Sequence, residues 1–371
     1  MNYAYWETKT WLTDIDFAII GSGVVGLSCA MVLRKRFPKA KIIVFEKGQL
    51  PQGASTKNAG FACFGSLSEI IADLEHHTPE DVLDLVQKRV EGLALLRKTI
   101  GDHALGLKQY GGYDVFAQNE PEAFETCYQK INEINRLLYP VFSANPFEAK
   151  QNTFGFENVN KTLFYSPFEA QLDTGKMMDA LLKKAWQNNI KILNATTLVD
   201  YSEHNQKVSL NFDTFETSCS HLLLATNGFS QSLLSSSVTP ARAQVLITKP
   251  ISGLQLKGAF HMDRGYYYFR NIDNRILLGG GRNLDFKTEE TDAFGLNMTI
   301  QKALEKRLKT TILPHQKVEI EQRWSGIMGL GQHKTPLIKA LGKRVFCGIR
   351  LGGMGVAIGS SVGQELARLP S

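Results

Sequence analysis

Gly21, Gly23 and Gly26 stand in the order GxGxxG, and Glu46 follows the last of them by 20 residues. Residues of these types at this spacing suit the holding of a dinucleotide. Gly21 permits the turn out of a strand, Gly23 lets the backbone approach a pyrophosphate, and Gly26 lets the following helix pack closely on the strand. The helix start at Val24 and Val25 then presents N–H groups and a partial positive charge to the phosphates. A carboxylate at Glu46 accepts both hydroxyls of a ribose, which favours a 2′-OH over a 2′-phosphate. These residues alone leave NAD and FAD both open.

The elements that must position them follow from hydrophobic spacing. Asp16 to Ile20 reads as a buried strand, Leu27 to Arg36 as an amphipathic helix ended by Pro38, and Lys41 to Phe45 as a second strand finishing at Glu46. Such a strand–helix–strand unit begins a parallel sheet. Helical spacing recurs over Pro79 to Thr99, Glu120 to Tyr139 and Thr174 to Asn188. Strands are expected at Lys191 to Leu193, Lys207 to Phe212 and His221 to Ala225. From Pro240 the texture changes to alternating strands, at Ala243 to Thr248, Gly265 to Arg270, Arg275 to Gly279 and Val318 to Trp324. These predict an antiparallel sheet on one side of a pocket. Val345 to Cys347 is a last strand, before a Gly-rich turn and a helix over Val356 to Arg368.

The expected fold is therefore α/β. A Rossmann-like nucleotide-binding domain, at 14–80, 160–240 and 330–371, is interrupted by an antiparallel-sheet substrate domain at 81–159 and 241–329. A length of 371 residues accommodates both. The formal charge of +6 is not gathered into a run, so no nucleic-acid partner is expected. The five cysteines are scattered without a CxxC pair, and the only neighbouring histidines are His76 and His77, so neither a disulfide framework nor a metal site is expected. Met1 to Thr13 has no apolar core of a signal peptide, and the apolar runs at 17–33 and 345–362 are broken by glycines. A cytoplasmic chain without a transmembrane segment is the expectation.

The segment Gly53-Ala54-Ser55-Thr56-Lys57-Asn58-Ala59-Gly60-Phe61 resembles the FAD-dependent D-amino-acid oxidase and glycine oxidase superfamily, nearest to its bacterial D-amino-acid dehydrogenase and γ-glutamylputrescine oxidase branches. In that family it runs along the pyrophosphate and under the isoalloxazine. Three more segments match in order: Ala225-Thr226-Asn227-Gly228, the strand Asn274 to Arg282, and Gly352-Gly353-Met354-Gly355-Val356-Ala357. The resemblance spans nearly the whole chain and implies a glutathione-reductase-type fold with non-covalent FAD. It implies cofactor contacts from the glycine turn, Glu46, Lys47, Ala54, Ser55, Thr56, Asn58, Ala59, Gly60, Phe61, Leu198, Ala225, Thr226, Gly228, Gly353, Met354, Gly355 and Val356. Cys63 and Cys347 fall on segments near the flavin but on no covalent-attachment motif of the family.

The resemblance further implies oxidation of the C–N bond of a small amine or amino acid by hydride transfer, giving an imine that hydrolyses, with O2 or a quinone taking the electrons. A 2-hydroxy-acid oxidoreductase and a flavin-bearing subunit of a redox complex share the fold and stay open. Tyr266 falls on a tyrosine of the glycine oxidase branch. Tyr268 and Arg270 share its face by period-two alternation, and Arg282 and Arg350 complete the candidates for orienting substrate. One departure stands out. Many members carry an arginine for the substrate carboxylate where this chain has Met328. Either Arg270, Arg282 or Arg350 takes over that carboxylate, or the substrate lacks one.

Overall fold

The computed structural model describes residues 3–234 and 238–370. Ile15–Ile20, which sends Phe17 and Ile19 into one apolar layer and Ala18 and Ile20 into the other, lies between Ile42–Phe45 and Glu216–Leu224, parallel to both. Val345–Ile349 extends this parallel core on one side and Lys191–Leu193 on the other. Leu337–Ala340, Val208–Phe212 and Leu198–Glu203 add antiparallel edges, making eight strands. Strands buried on both faces need continuous apolar runs, and Ile42–Phe45 and Val345–Ile349 are buried throughout.

Glu216–Leu224 is longer than the expected His221 to Ala225, because its polar first half, with Thr217, Ser218 and Ser220, pairs antiparallel with Val208–Phe212. The helices Val24–Arg36 and Gly355–Leu366 pack together on one face. They approach so closely that a side chain at Gly363 would meet the Val25 carbonyl oxygen at 2.5 Å.

The second sheet also has eight strands, in the order Ile320–Leu330, Thr239–Thr248, Arg275–Gly280, Tyr267–Ile272, Ala259–Met262, Gly112–Val115, Thr162–Ser166 and Glu148–Gln151. It departs from the expected antiparallel sheet at one pair: Ala259–Met262 runs parallel to Gly112–Val115. Thr162–Ser166 belongs to this sheet, although it lies inside the 160–240 stretch expected of the other domain.

Pro79–Ile100 starts at Thr78, whose hydroxyl accepts the Asp81 N–H, and stops at Gly101 with a φ of 90°. Met298–Arg307, not expected from the sequence, lays Ile300 and Leu304 onto the second sheet's core. No helix among the described residues is long and apolar enough to cross a membrane.

Candidate active site

Between the two sheets lies a cavity of about 740 Å³. At one end the GxGxxG turn leaves Ile15–Ile20, with Gly21 at a φ of 105°. A side chain at Gly26 would collide with the Gly21 carbonyl oxygen, so the close packing of helix on turn depends on glycine there. The helix Val24–Arg36 begins at Gly23 without a side-chain cap, and the Val24 N–H donates to Ser55 Oγ at 3.0 Å. Its positive end therefore opens on the cavity. Glu46 is buried: Oε2 accepts the Ser22 N–H (3.0 Å) and hydroxyl (2.8 Å), and Oε1 accepts the Gly48 N–H (3.1 Å). Lys47 holds Nζ 3.6 Å over the Phe229 ring, and burial lowers its pKa against the pull of Asp292 and Glu46.

Of the expected cofactor contacts, Gly21, Gly23, Val24, Val25, Glu46, Lys47, Ala54, Ser55, Asn58, Ala59, Phe61, Leu198, Ala225, Thr226, Gly228, Gly353, Met354, Gly355 and Val356 line this cavity. Gly26, Thr56 and Gly60 stand behind its wall. Thr56 Oγ1 donates to the Pro51 carbonyl at 2.6 Å, which fixes the turn of the Gly53–Phe61 segment. Asn58 ties the same segment down, its amide donating to the Ser55 carbonyl (2.8 Å) while its Oδ1 accepts the Gly60 N–H (2.8 Å).

The four candidate substrate residues separate. Tyr266 precedes the strand Tyr267–Ile272 rather than lying in it, and it lines the cavity with Tyr268 and Arg282. Arg270 lies on Tyr268's side of the strand but does not reach the cavity. Its guanidinium donates to the carbonyls of Ala59 and Leu172, clamping the cofactor-side loop from behind, and burial lowers its pKa to about 10. Arg350, at a φ of 66°, turns outward and donates Nε to the Thr335 carbonyl. The Arg282 guanidinium has no hydrogen bond or ion pair among the described residues. Its guanidinium lies 4.6 Å from the Phe286 ring centroid, and Phe286 in turn meets Tyr266 edge-on at 5.9 Å. Burial lowers the Arg282 pKa against the nearby Tyr266, Glu289 and Glu290. Met328 lines the same cavity.

The cavity also meets a polar cluster that sequence reasoning missed. His261, buried in the strand Ala259–Met262, hydrogen-bonds Glu169 through Nε2 at 2.9 Å and has Nδ1 3.7 Å from Glu69. Burial opposes its charge, but Glu169, Glu69 and Asp114 outweigh that and raise its pKa to about 9. Burial likewise pushes Asp114 up to about 6, partly offset by hydrogen bonds from Ser68. Donor atoms of Cys63, Glu169 and His261 lie within 4.8 Å of one another. Burial and the neighbouring Glu169 and Glu69 hold the Cys63 thiol well above its usual range, so it stays protonated. The one local sequence signal here was Ser66-x-x-Glu69, a capping-box pattern.

The match to known proteins is extensive. The family model for FAD-dependent oxidoreductases matches residues 16–369. A glycine oxidase from Geobacillus kaustophilus is similar over 96% of this chain and 95% of its own, with a TM-score of 0.76 at 20% identity. An iminodiacetate oxidase from Chelativorans sp. covers 95% and 94%, with a TM-score of 0.75 at 16% identity. An L-proline dehydrogenase from P. horikoshii covers 96% and 93%, with 0.74 at 16% identity. Comparison with curated proteins finds no match.

The residues present fit the cofactor such proteins use. The cavity volume is of ligand size, a helix N-terminus faces it, and Thr226 Oγ1 is buried on its wall without a hydrogen-bond partner among the described residues. Cys347 is sealed inside the first sheet away from the cavity, while Cys63 lines the cavity with its thiol held protonated. The chain belongs to the FAD-dependent oxidoreductase family, with FAD as its cofactor.

Proposed function

We propose that this enzyme oxidises the C–N bond of a small amino acid. The observation that carries the reading is Arg282, a half-buried guanidinium on the cavity wall beside Tyr266 that forms no ion pair among the described residues. A desolvated arginine matches a carboxylate by two parallel N–H···O bonds. Arg270 and Arg350 are spent on backbone carbonyls, and Met328 supplies no charge, so of the candidate arginines Arg282 alone is free for that task. The resemblance to a glycine oxidase, an iminodiacetate oxidase and an L-proline dehydrogenase supports a substrate with nitrogen next to a carboxylate-bearing carbon.

Bound FAD supplies the hydride acceptor. The chain supplies position. Arg282 and Tyr266 hold the carboxylate end, while the walls formed by Tyr268, Met328 and Met354 exclude water around the C–H bond to be broken. Loss of that hydride and of a proton from nitrogen leaves an imine, which hydrolyses in water. Electrons leave to O2 or a quinone.

The test is anaerobic flavin bleaching with a panel of amino acids, simple amines and 2-hydroxy acids. Amino acids are expected to bleach the flavin fastest, and bleaching by hydroxy acids alone overturns the proposal. Reoxidation by O2 compared with a soluble quinone then separates oxidase from dehydrogenase.

A further inference from the structure

We propose that Glu69 is the residue that recognises the substrate's ammonium group, so that the site selects a zwitterion rather than an isolated anion. The inference rests on the amino-acid reading above and names the second of the two charges that such a substrate must satisfy.

Five carboxylates line the cavity, and four of them are otherwise placed. Both oxygens of Glu46 accept hydrogen bonds from Ser22 and Gly48 at the nucleotide end. Asp73 is ion-paired with Lys334. Glu75 and Asp292 are exposed to solvent, where an ion pair is worth little. Glu69 is different. Its side chain is 16% exposed, and its position is fixed by its own helix, Leu67–Leu74. In the capping box there, Ser66 Oγ accepts the Glu69 N–H while Glu69 Oε2 accepts the Ser66 N–H at 2.9 Å. His261 Nδ1 is ion-paired with that same Oε2 at 3.7 Å, so it is the second oxygen that stays open. The other oxygen, Oε1, has no hydrogen bond among the described residues. It lies against Gly265, where a side chain would come within 2.5 Å of it, and Gly265 directly precedes Tyr266. A glycine there keeps the approach to Oε1 clear.

Behind Glu69, and off the cavity wall itself, the packing is rich in acceptors. Glu169 is 1% exposed and uses Oε2 for His261, yet its Oε1 is buried without a partner among the described residues, as is Oδ1 of Asp114. The charged and titratable groups facing Glu69 are His261, Arg89, Asp114 and Cys63. Arg89 donates to the Phe64 carbonyl and His261 to Glu169, so neither cation spends a hydrogen bond on Glu69. An ammonium brings three N–H donors and one positive charge to this wall.

The experiment uses the FAD-loaded enzyme and two probes without a hydrogen on the reacting carbon, so that binding is read without turnover. tert-Butylamine offers the cation alone and pivalate the anion alone, and the flavin absorbance reports both. Glu69→Gln preserves the capping box, which accepts glutamine, and removes the charge. It is expected to weaken tert-butylamine about tenfold or more while leaving pivalate within about twofold. Arg282→Met is expected to show the reverse pattern.

Unchanged tert-butylamine affinity in Glu69→Gln, equal weakening of both probes, or no tert-butylamine binding to the unaltered enzyme each overturns the proposal. Glu69→Asp keeps the charge but withdraws it by one methylene. It carries the same test if the glutamine variant does not fold, with selective loss of tert-butylamine affinity as the supporting result. A panel in which no amino acid bleaches the flavin overturns the proposed function, while the probe pair still reads Glu69 by itself.

Discussion

The two ends of the cavity solve the problem of holding a charged ligand in opposite ways. At the nucleotide end the donors are backbone N–H groups of one turn, and the one buried carboxylate, Glu46, is held in place by three hydrogen bonds from Ser22 and Gly48 that leave acceptor capacity for a ligand. At the substrate end the groups are side chains from distant segments, and two remain without a hydrogen bond among the described residues: the Arg282 guanidinium and Glu69 Oε1. The first arrangement tolerates little variation, because backbone geometry sets it. The second is adjustable one side chain at a time, which is how a shared scaffold serves different substrates.

The largest expected effect strikes the nucleotide end. Gly26→Val drives its side chain into the Gly21 carbonyl, with a cost of about 3 kcal/mol or more. Purified protein is expected to lack FAD and to melt well below the unaltered chain; retention of full FAD would break the contrast between a rigid end and an adjustable one. Arg282→Met comes next. It should lower kcat/KM for carboxylate-bearing substrates by roughly 100-fold, with FAD content and melting temperature nearly unchanged. A matching loss of FAD would show that the two ends are not separable.

Glu46→Gln replaces a two-oxygen acceptor with one oxygen. FAD affinity is expected to fall by about tenfold, read by titrating apoprotein and following flavin fluorescence, while substrate KM in the FAD-saturated enzyme stays put.

The smallest effect is a slope of stability with pH, and it belongs to the substrate end. His261 binds its proton more tightly in the folded chain, its pKa rising from 6.5 to about 9. That contribution is full below pH 6.5 and is lost as pH rises through about 9. Asp114, raised from 3.8 to about 6, likewise stabilises fully below 3.8 and loses that contribution as pH passes about 6. Urea midpoints are therefore expected to decline across both windows. His261→Gln flattens the upper window and Asp114→Asn the lower; an unchanged profile in both variants would remove the buried cluster from the account.

What the sequence determined by itself was whatever depends on neighbours along the chain. The GxGxxG turn, the strand before it, the helix after it and Glu46 were legible because backbone conformation and hydrophobic period are local properties. The long helices at Pro79–Ile100, Pro121–Phe142 and Thr174–Gln187 were legible for the same reason. The short strands Gly112–Val115 and Ala259–Met262 were not, since four residues carry too little period and exist only through their pairing.

The roles of the arginines also lay beyond the sequence. Arg270, Arg282 and Arg350 were equal candidates by position, and the choice among them depended on which backbone carbonyls the fold brought within reach. Arg270 found those of Ala59 and Leu172, from segments far away in the chain, and was withdrawn from the cavity. Glu69, Glu169 and His261 lie on three separate elements, and only tertiary packing makes them one cluster, because burying charge is tolerated only where partners from elsewhere in the chain arrive with it.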